Sequence, residues 1–194
     1  YTDLGLFLKS GMAGTGEDGT PYDATIHPNA IDPHTFFDNE GKLWMVYGSY
    51  SGGIYILAMD GETGFPLPDQ GYGKKLLGKN HSRIDGPYIL YSPETGYYYL
   101  FLSFGGLLSG DGYNIRVARS KNPDGPYVDA LGQDMIGCGG PDGSFFDDEA
   151  IVPSGVKLMC GYWFMSLAGE EKLAEVAYRS PGHMSAHYDA EIGQ

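Results

Sequence analysis

A repeated aromatic hairpin is the feature of this sequence that most constrains its fold. The segments FFDNEGKLWMVYGSY (Phe36–Tyr50) and LYSPETGYYYLFLSF (Leu90–Phe104) each place a short turn with an acidic residue and a glycine between two aromatic stretches. This pattern is typical of a β-hairpin. The copies lie about 54 residues apart, a spacing that suits successive blades of a β-propeller.

Two shorter matches extend the repeat towards both ends of the chain. HYDAEIGQ (His187–Gln194) matches the first strand and turn of the hairpin, and YTDLG (Tyr1–Gly5) matches YVDALG (Tyr127–Gly132). We therefore interpret residues 1–194 as part of a single all-β propeller domain that begins inside one unit and ends inside another. Such a segment would leave sheet edges open, so we expect it to be poorly soluble or oligomeric on its own.

Eight strands are predicted from the alternation of apolar and polar residues and from the turn residues between them. They are 34–38, 42–49, 53–59, 87–92, 97–104, 113–119, 156–164 and 173–178. Residues 10–30 and 132–153 are predicted to be long loops, and the segment 167–179 is the one candidate for a helical turn. Long ordered loops in compact β-proteins often carry function.

The charge of the chain restricts its partners. The formal net charge is −13, so nucleic acid and anionic membrane surfaces are not expected to bind. No stretch of 18 apolar residues is present that would span a membrane. A neutral ligand such as a sugar, or a cation, is compatible with this charge. Cys138 and Cys160 are either two unpaired buried thiols or a disulfide, because the sequence gives no distance between them.

Two carboxylates occupy matching positions before the two hairpins. Asp32 lies in IDPH and Asp85 lies in RIDGPY, and His183 in SPGH precedes the third, partial hairpin. Since the inner strands of propeller blades converge on a common axis, these three side chains are expected to lie near one point. Two carboxyl groups there could act as acid and base, with Arg83 holding one of them ionised. The alternative is that both aspartates are structural turn residues and the histidine a satisfied polar group.

The ordered motifs resemble glycoside hydrolase family 43, and its arabinanases in particular. The resemblance rests on four segments. They are NAIDPHTFFDNEGKLWMVYGSYSGGIY, HSRIDGPYILYSPETGYYYLFLSFGGL, YNIRVARSKNPDGPYVD and SPGHMSAHYD. It implies a five-bladed β-propeller, of which this chain is a partial segment, and inverting hydrolysis of α-1,5-linked arabinofuranose in arabinan or arabino-oligosaccharides. It also implies an extracellular or periplasmic location.

The resemblance assigns roles to individual residues. Asp85 matches the general acid, and Asp32 matches the aspartate that tunes the pKa of that acid. His183 matches a histidine near the axis that contributes to a calcium or water cluster, so calcium is an expected cofactor. The residues expected to contact the sugar are Asn29, Ser49, Tyr50 and Arg83.

Two departures from the family pattern leave other functions open. The family carries glutamate where this chain has Asp85, and the blade that supplies the general base does not match any segment of this chain. An aspartate is one methylene shorter, and a misplacement of about 1 Å can cost roughly 10²-fold in rate. The alternatives are a catalytically weak carbohydrate-binding propeller and an arabinofuranosidase or β-xylosidase of the same family.

Overall fold

Two antiparallel four-stranded sheets make up most of the fold. The computed structural model describes residues 3, 5–11, 21–108, 110–139, 149, 151, 153–163, 167–171 and 177–193. Sheet I contains β1 (His34–Phe37), β2 (Leu43–Tyr47), β3 (Ile54–Met59) and β4 (Lys74–Leu77) in that order. Sheet II contains β5 (Ile84–Ser92), β6 (Tyr97–Phe104), β7 (Asn114–Ser120) and β8 (Val156–Met159).

Smaller elements follow the two sheets. A 3-10 turn spans Met135–Gly137, and β9 (Tyr162–Trp163) pairs with β10 (Ala177–Tyr178) in a two-stranded sheet. In the described part of the chain, no helix is long and apolar enough to cross a membrane. Each four-stranded sheet follows the chain strand by strand, which is the up-and-down order of a propeller blade.

Both predicted hairpins are present. The aromatic positions face one another across the turns, with Phe36 opposite Trp44 and Tyr91 opposite Tyr98. Such cross-strand pairs stabilise an antiparallel sheet. In β1 the side chains alternate between half-buried and exposed, which is the period of a strand with one covered face.

Several strand predictions were wrong in detail. β4 was missed because its sequence, KKLL, does not alternate, although Leu76 and Leu77 are buried. The predicted strand 156–164 is interrupted between Met159 and Tyr162. Of the predicted strand 173–178, Ala177–Tyr178 is a strand and 173–176 lies outside the described residues. In the helical candidate, residues 168–169 form a turn and 172–176 are likewise outside the described residues.

The start of β5 is the correction that matters most for function. The predicted strand began at residue 87, but β5 begins at Ile84, so Asp85 lies inside the strand and pairs with Ser103. The register shifts between Asp85 and Tyr88, where three steps along β5 face two steps along β6, from Ser103 to Phe101. This is a β-bulge, and bulges of this kind re-aim side chains beside functional sites.

The main core joins the two sheets. Its buried apolar side chains come from both of them and include Val46, Ile54, Ile56, Leu77, Ile84, Ile89, Leu100 and Leu102. Since apolar burial contributes roughly 25 cal/mol per Å² removed from water, neither sheet would keep this stabilisation alone. A second cluster lies on the other face of sheet I, around Met45, Tyr47 and Leu57.

Polar contacts also join the sheets. The Tyr98 hydroxyl, on a side chain that is 1% exposed, donates to Asn39 Oδ1 at 2.6 Å and accepts from the Asn39 N–H at 3.0 Å. Asn39 lies in the β1–β2 turn, so this pair connects that turn of sheet I to β6, an inner strand of sheet II. Both cysteines are free, as one of the two alternatives predicted, but the expectation that both are buried was wrong for Cys160: Cys138 is buried and Cys160 is exposed.

We predict that Tyr98→Phe destabilises the protein by about 1–3 kcal/mol, because both hydrogen bonds between the Tyr98 hydroxyl and Asn39 are lost. The matched control is Tyr99→Phe, whose hydroxyl bonds only to Thr95 at the exposed end of the hairpin. We expect that control to change stability by less than about 0.5 kcal/mol. Urea unfolding measures both, and equal effects of the two variants would contradict the role of Tyr98.

Candidate active site

Asp32 stands at the entrance of sheet I in an uncommon backbone conformation. Its φ is 55°, in the left-handed region that aspartate tolerates better than most residues. The turn aims the carboxylate across to sheet II, where Oδ2 accepts a hydrogen bond from the Gly86 N–H at 3.3 Å. Oδ1 lies 3.9 Å from Nδ1 of His183. The carboxylate therefore contacts both other parts of the predicted cluster.

Asp85 is buried beside this group, with 8% of its surface exposed. Its Oδ1 accepts a hydrogen bond from the Tyr113 hydroxyl. In the sheet, Asp85 of β5 lies opposite Ser103 of β6. The Gly86 that follows has φ 55°, and a side chain there would press on His183 and Ser103. The bulge thus needs a glycine directly after Asp85, which explains the DG pair in the sequence.

The environment of Asp85 favours its protonated form. Burial is the largest cause that raises the pKa of the Asp85 carboxyl, and the negative charge of Asp32 raises this pKa further. The hydrogen bond from Tyr113 opposes the rise, as do the proximity of His183 and a bond to Ser103. The net effect of these influences is a raised pKa of Asp85. Asp85 therefore holds a proton at higher pH than an ordinary aspartate does, as a proton donor requires.

His183 completes the cluster from the far end of the chain. Its backbone N–H donates to Ser103 Oγ at 2.7 Å, which fixes its backbone against β6, while 63% of its side chain is exposed. Calcium prefers six to eight oxygen ligands. Within the described ranges no group of three or more His, Cys, Asp or Glu side chains is placed to hold a metal. Calcium as a cofactor and the metal role of His183 stay predictions.

Arg83 and Tyr50 lie at the edge of the cluster. Arg83 forms an ion pair with Asp111, at 3.4 Å from Nη1 to Oδ2. The expectation that Arg83 keeps a catalytic carboxylate ionised stays a prediction. Tyr50 has a left-handed φ of 50°, and its N–H donates to the Ile84 carbonyl at 2.9 Å, one residue before Asp85.

Asn29 and Ser49 are the remaining predicted sugar contacts. Asn29 is half-buried, and its Oδ1 accepts a hydrogen bond from the Ser10 hydroxyl at 2.9 Å. Ser49 is half-buried in the loop between β2 and β3, directly before Tyr50. The structure brings Asp32, Asp85 and His183 together, with Tyr50 at their edge. The sugar-binding roles stay predictions.

Sequence reasoning missed three residues that contact the cluster or the strand that carries Asp85. They are Ser103, Tyr113 and His34. A sequence signal was available for Ser103, which is the one small polar residue in the apolar stretch YLFLSF. No such signal marks Tyr113, which directly precedes β7. His34 stacks on Tyr88 at a centroid distance of 3.7 Å, and its Nδ1 accepts from the Ile89 N–H at 3.2 Å. It holds β5 just beyond the bulge.

Comparison with known proteins gives this geometry a family. The family described as Glycosyl hydrolases family 43 matches residues 15–149. The chain belongs to this family. It is 65% identical over 194 residues to the extracellular endo-α-(1→5)-L-arabinanase 2 of Bacillus subtilis, covering 100% of this chain and 40% of the relative. It is 54% identical over 198 residues to the extracellular endo-α-(1→5)-L-arabinanase of Thermotoga petrophila, covering 100% of this chain and 41% of the relative.

Solved structures agree with the fold. A family 43 glycoside hydrolase, the YxiA protein of Bacillus licheniformis, superposes with a TM-score of 0.89 at 65% identity, over 100% of this chain and 42% of that one. The Thermotoga petrophila endo-1,5-α-L-arabinanase gives 0.86 at 54% identity, over 100% and 42%. The predicted fold is confirmed: sheets I and II are blades of the family 43 five-bladed propeller. The chain spans about two fifths of these relatives.

We predict that His34 makes stability depend on pH. Burial lowers the pKa of His34 from 6.5 to about 4, so between these values the unfolded chain binds a proton that the folded chain does not. The stability contributed by neutral His34 is therefore complete above pH 6.5 and is lost as the pH falls towards 4. In His34→Phe the ring still stacks but cannot be protonated, so stability should fall less steeply over this range.

Urea unfolding at a series of pH values measures this difference. His34→Phe should be less stable than the parent near pH 7, since the Ile89 N–H loses its acceptor, at a cost of about 1–3 kcal/mol. The control is His187→Gln at an exposed position. Parallel curves for the parent and His34→Phe would show that His34 is not the titrating group.

Proposed function

We propose that this chain supplies the proton donor and its modulator to an endo-acting arabinanase that hydrolyses α-1,5-arabinofuranosidic bonds in arabinan with inversion. The observation that carries the proposal is the buried Asp85, whose pKa is raised by burial and by Asp32 beside it. The two relatives named above are both called endo-arabinanases, which supports arabinan as the substrate and endo action over exo action.

The mechanism divides between two carboxyl groups on opposite sides of the bond. Asp85 gives its proton to the leaving glycosidic oxygen, and the Asp32 carboxylate keeps that proton on Asp85 until the bond breaks. The other of the two groups is the general base, a carboxylate from a blade that matches no segment of this chain, and it activates water on the other face of the sugar. In inverting glycosidases these two carboxyl groups are about 6.5–9.5 Å apart, which leaves room for the water.

Asp85 in place of glutamate favours a second candidate function, a propeller that binds arabinan but hydrolyses it slowly. The hydrogen bond from Tyr113 holds the Asp85 carboxyl against β7, inside the sheet. A glutamate would extend about one methylene further towards the substrate. Whether the aspartate reaches the glycosidic oxygen decides between the two functions.

The assay needs a complete propeller. A suitable protein is a chimera in which this chain replaces the 194 matching residues of the Bacillus subtilis relative, which contributes the other blades. The substrate is linear debranched arabinan, and the readout is the release of reducing ends. The unmodified relative serves as the positive control. Nitrophenyl arabinofuranoside and xyloside substrates test for the arabinofuranosidase and β-xylosidase alternatives.

We predict that Asp85→Asn in this chimera lowers kcat by about 10²–10⁴-fold, because a general acid contributes a factor of this size. The matched control is Asp124→Asn, which removes a half-buried carboxylate that is paired with Lys74 away from the cluster. Asp85→Glu should retain activity or raise it. An inactive parent with an active Asp85→Glu variant would refute Asp85 as a competent acid, and calorimetry showing tight binding of arabino-oligosaccharides to that parent would favour the binding function.

A second prediction concerns pH. Because the charge of Asp32 raises the pKa of Asp85, Asp32→Asn should lower that pKa. The donor then loses its proton at lower pH, so the basic limb of kcat/KM moves to lower pH. The asparagine Oδ1 can still accept from the Gly86 N–H, which preserves the turn. A basic limb that stays in place while kcat falls would assign Asp32 a purely structural role.

Location and assembly are further parts of the proposal. We propose that the protein is extracellular, as the two relatives are by name. A periplasmic location, and oligomers formed through open sheet edges, stay predictions. Fractionation of the producing cells tests the first, and light scattering on the purified chain tests the second, where a monodisperse monomer would contradict the oligomer.

A further inference from the structure

Tyr113 is the buried side chain in closest contact with the proposed proton donor. It lies directly before β7, is 5% exposed, and donates its hydroxyl to Asp85 Oδ1. Burial, followed by the bond to Asp85, raises the pKa of Tyr113 well above its usual value. The hydroxyl therefore keeps its proton to higher pH than an ordinary tyrosine does.

The ring of Tyr113 is fixed from the other side by the chain that carries His183. A side chain at Gly182 would overlap the ring, so the bare backbone of Gly182 lies against it. The next N–H, of His183, donates to Ser103 Oγ at 2.7 Å, and Ser103 pairs with Asp85 across the strands. Asp85, Tyr113, the Gly182–His183 segment and Ser103 thus form a closed circuit of contacts.

This arrangement restricts which oxygen of Asp85 can carry the transferable proton. An oxygen that accepts a strong hydrogen bond from a phenol is the poorer site for protonation, so the proton of the neutral acid resides on Oδ2. The orientation matters more for an aspartate than for a glutamate. The shorter side chain has fewer torsions with which to bring the other oxygen to the substrate.

We propose that Tyr113 is a positioning residue for the proton donor, which it orients through its hydroxyl bond to Asp85 Oδ1 against the backbone of Gly182. The inference rests on the proposed function in so far as Asp85 is the general acid. The hydrogen bond itself is independent of that function. Tyr113 does not touch the reacting atoms, and it acts through Asp85.

Two measurements on the chimera test the proposal. Tyr113→Phe should lower kcat by about 10–100-fold with little change in KM, because a misdirected donor affects the chemical step and not sugar binding. A hydroxyl proton bonded to a buried carboxyl also gives a proton NMR signal far downfield. That signal should be absent in Tyr113→Phe, retained in the matched control Tyr99→Phe, and shifted upfield in Asp85→Asn.

The two measurements separate failure of this inference from failure of the proposed function. A parent that is inactive on arabinan overturns the function, yet the downfield signal and its response to Asp85→Asn still decide the hydrogen bond. The positioning role is overturned if Tyr113→Phe leaves both the spectrum and kcat unchanged. It is also overturned if kcat and KM both change in Tyr113→Phe while the downfield signal remains. If Tyr113→Phe does not fold, 3-fluorotyrosine at position 113 replaces it, and its ¹⁹F signal must differ between the parent and Asp85→Asn.

Discussion

The structure around the candidate proton donor depends on two hydrogen bonds that the bulged segment of β5 donates to the entrance of sheet I. Asp32 accepts from the Gly86 N–H, and His34 accepts from the Ile89 N–H. Between these two points the strand gains one residue relative to β6. Both amides thus find an acceptor in the neighbouring blade, which holds the bulged segment of β5 and Asp85 within it.

Chemistry follows from the same arrangement. The N–H that donates a hydrogen bond to Asp32 belongs to Gly86, the residue after Asp85, so the two carboxyl groups lie close together. The negative charge of Asp32 then raises the pKa of Asp85. The hydroxyls of Tyr113 and Ser103 limit that rise. A buried acid kept protonated by a neighbouring carboxylate, with its direction set by a phenol, is a common way to obtain a proton donor at neutral pH.

Much of this could be predicted from the sequence. The hairpin repeat predicts two blades, and Asp32, Asp85 and His183 precede equivalent hairpins, so their convergence follows from propeller geometry. The position of Asp85 within its strand could not be predicted, since the DGP segment reads as a turn and the bulge exists only against β6. Tyr113 and His34 were also not predictable, because both reach the site through contacts between segments that are distant in the chain.

The sequence by itself determined the class of fold and the positions that make up the candidate site. Its period of aromatic hairpins requires blades, and blades of one kind place matching residues at one axis. The tertiary structure decided how those residues act. Burial, the bulge register and the direction of the Tyr113 hydroxyl depend on which surfaces pack together, and local sequence carries no record of partners that lie 28 or more residues away.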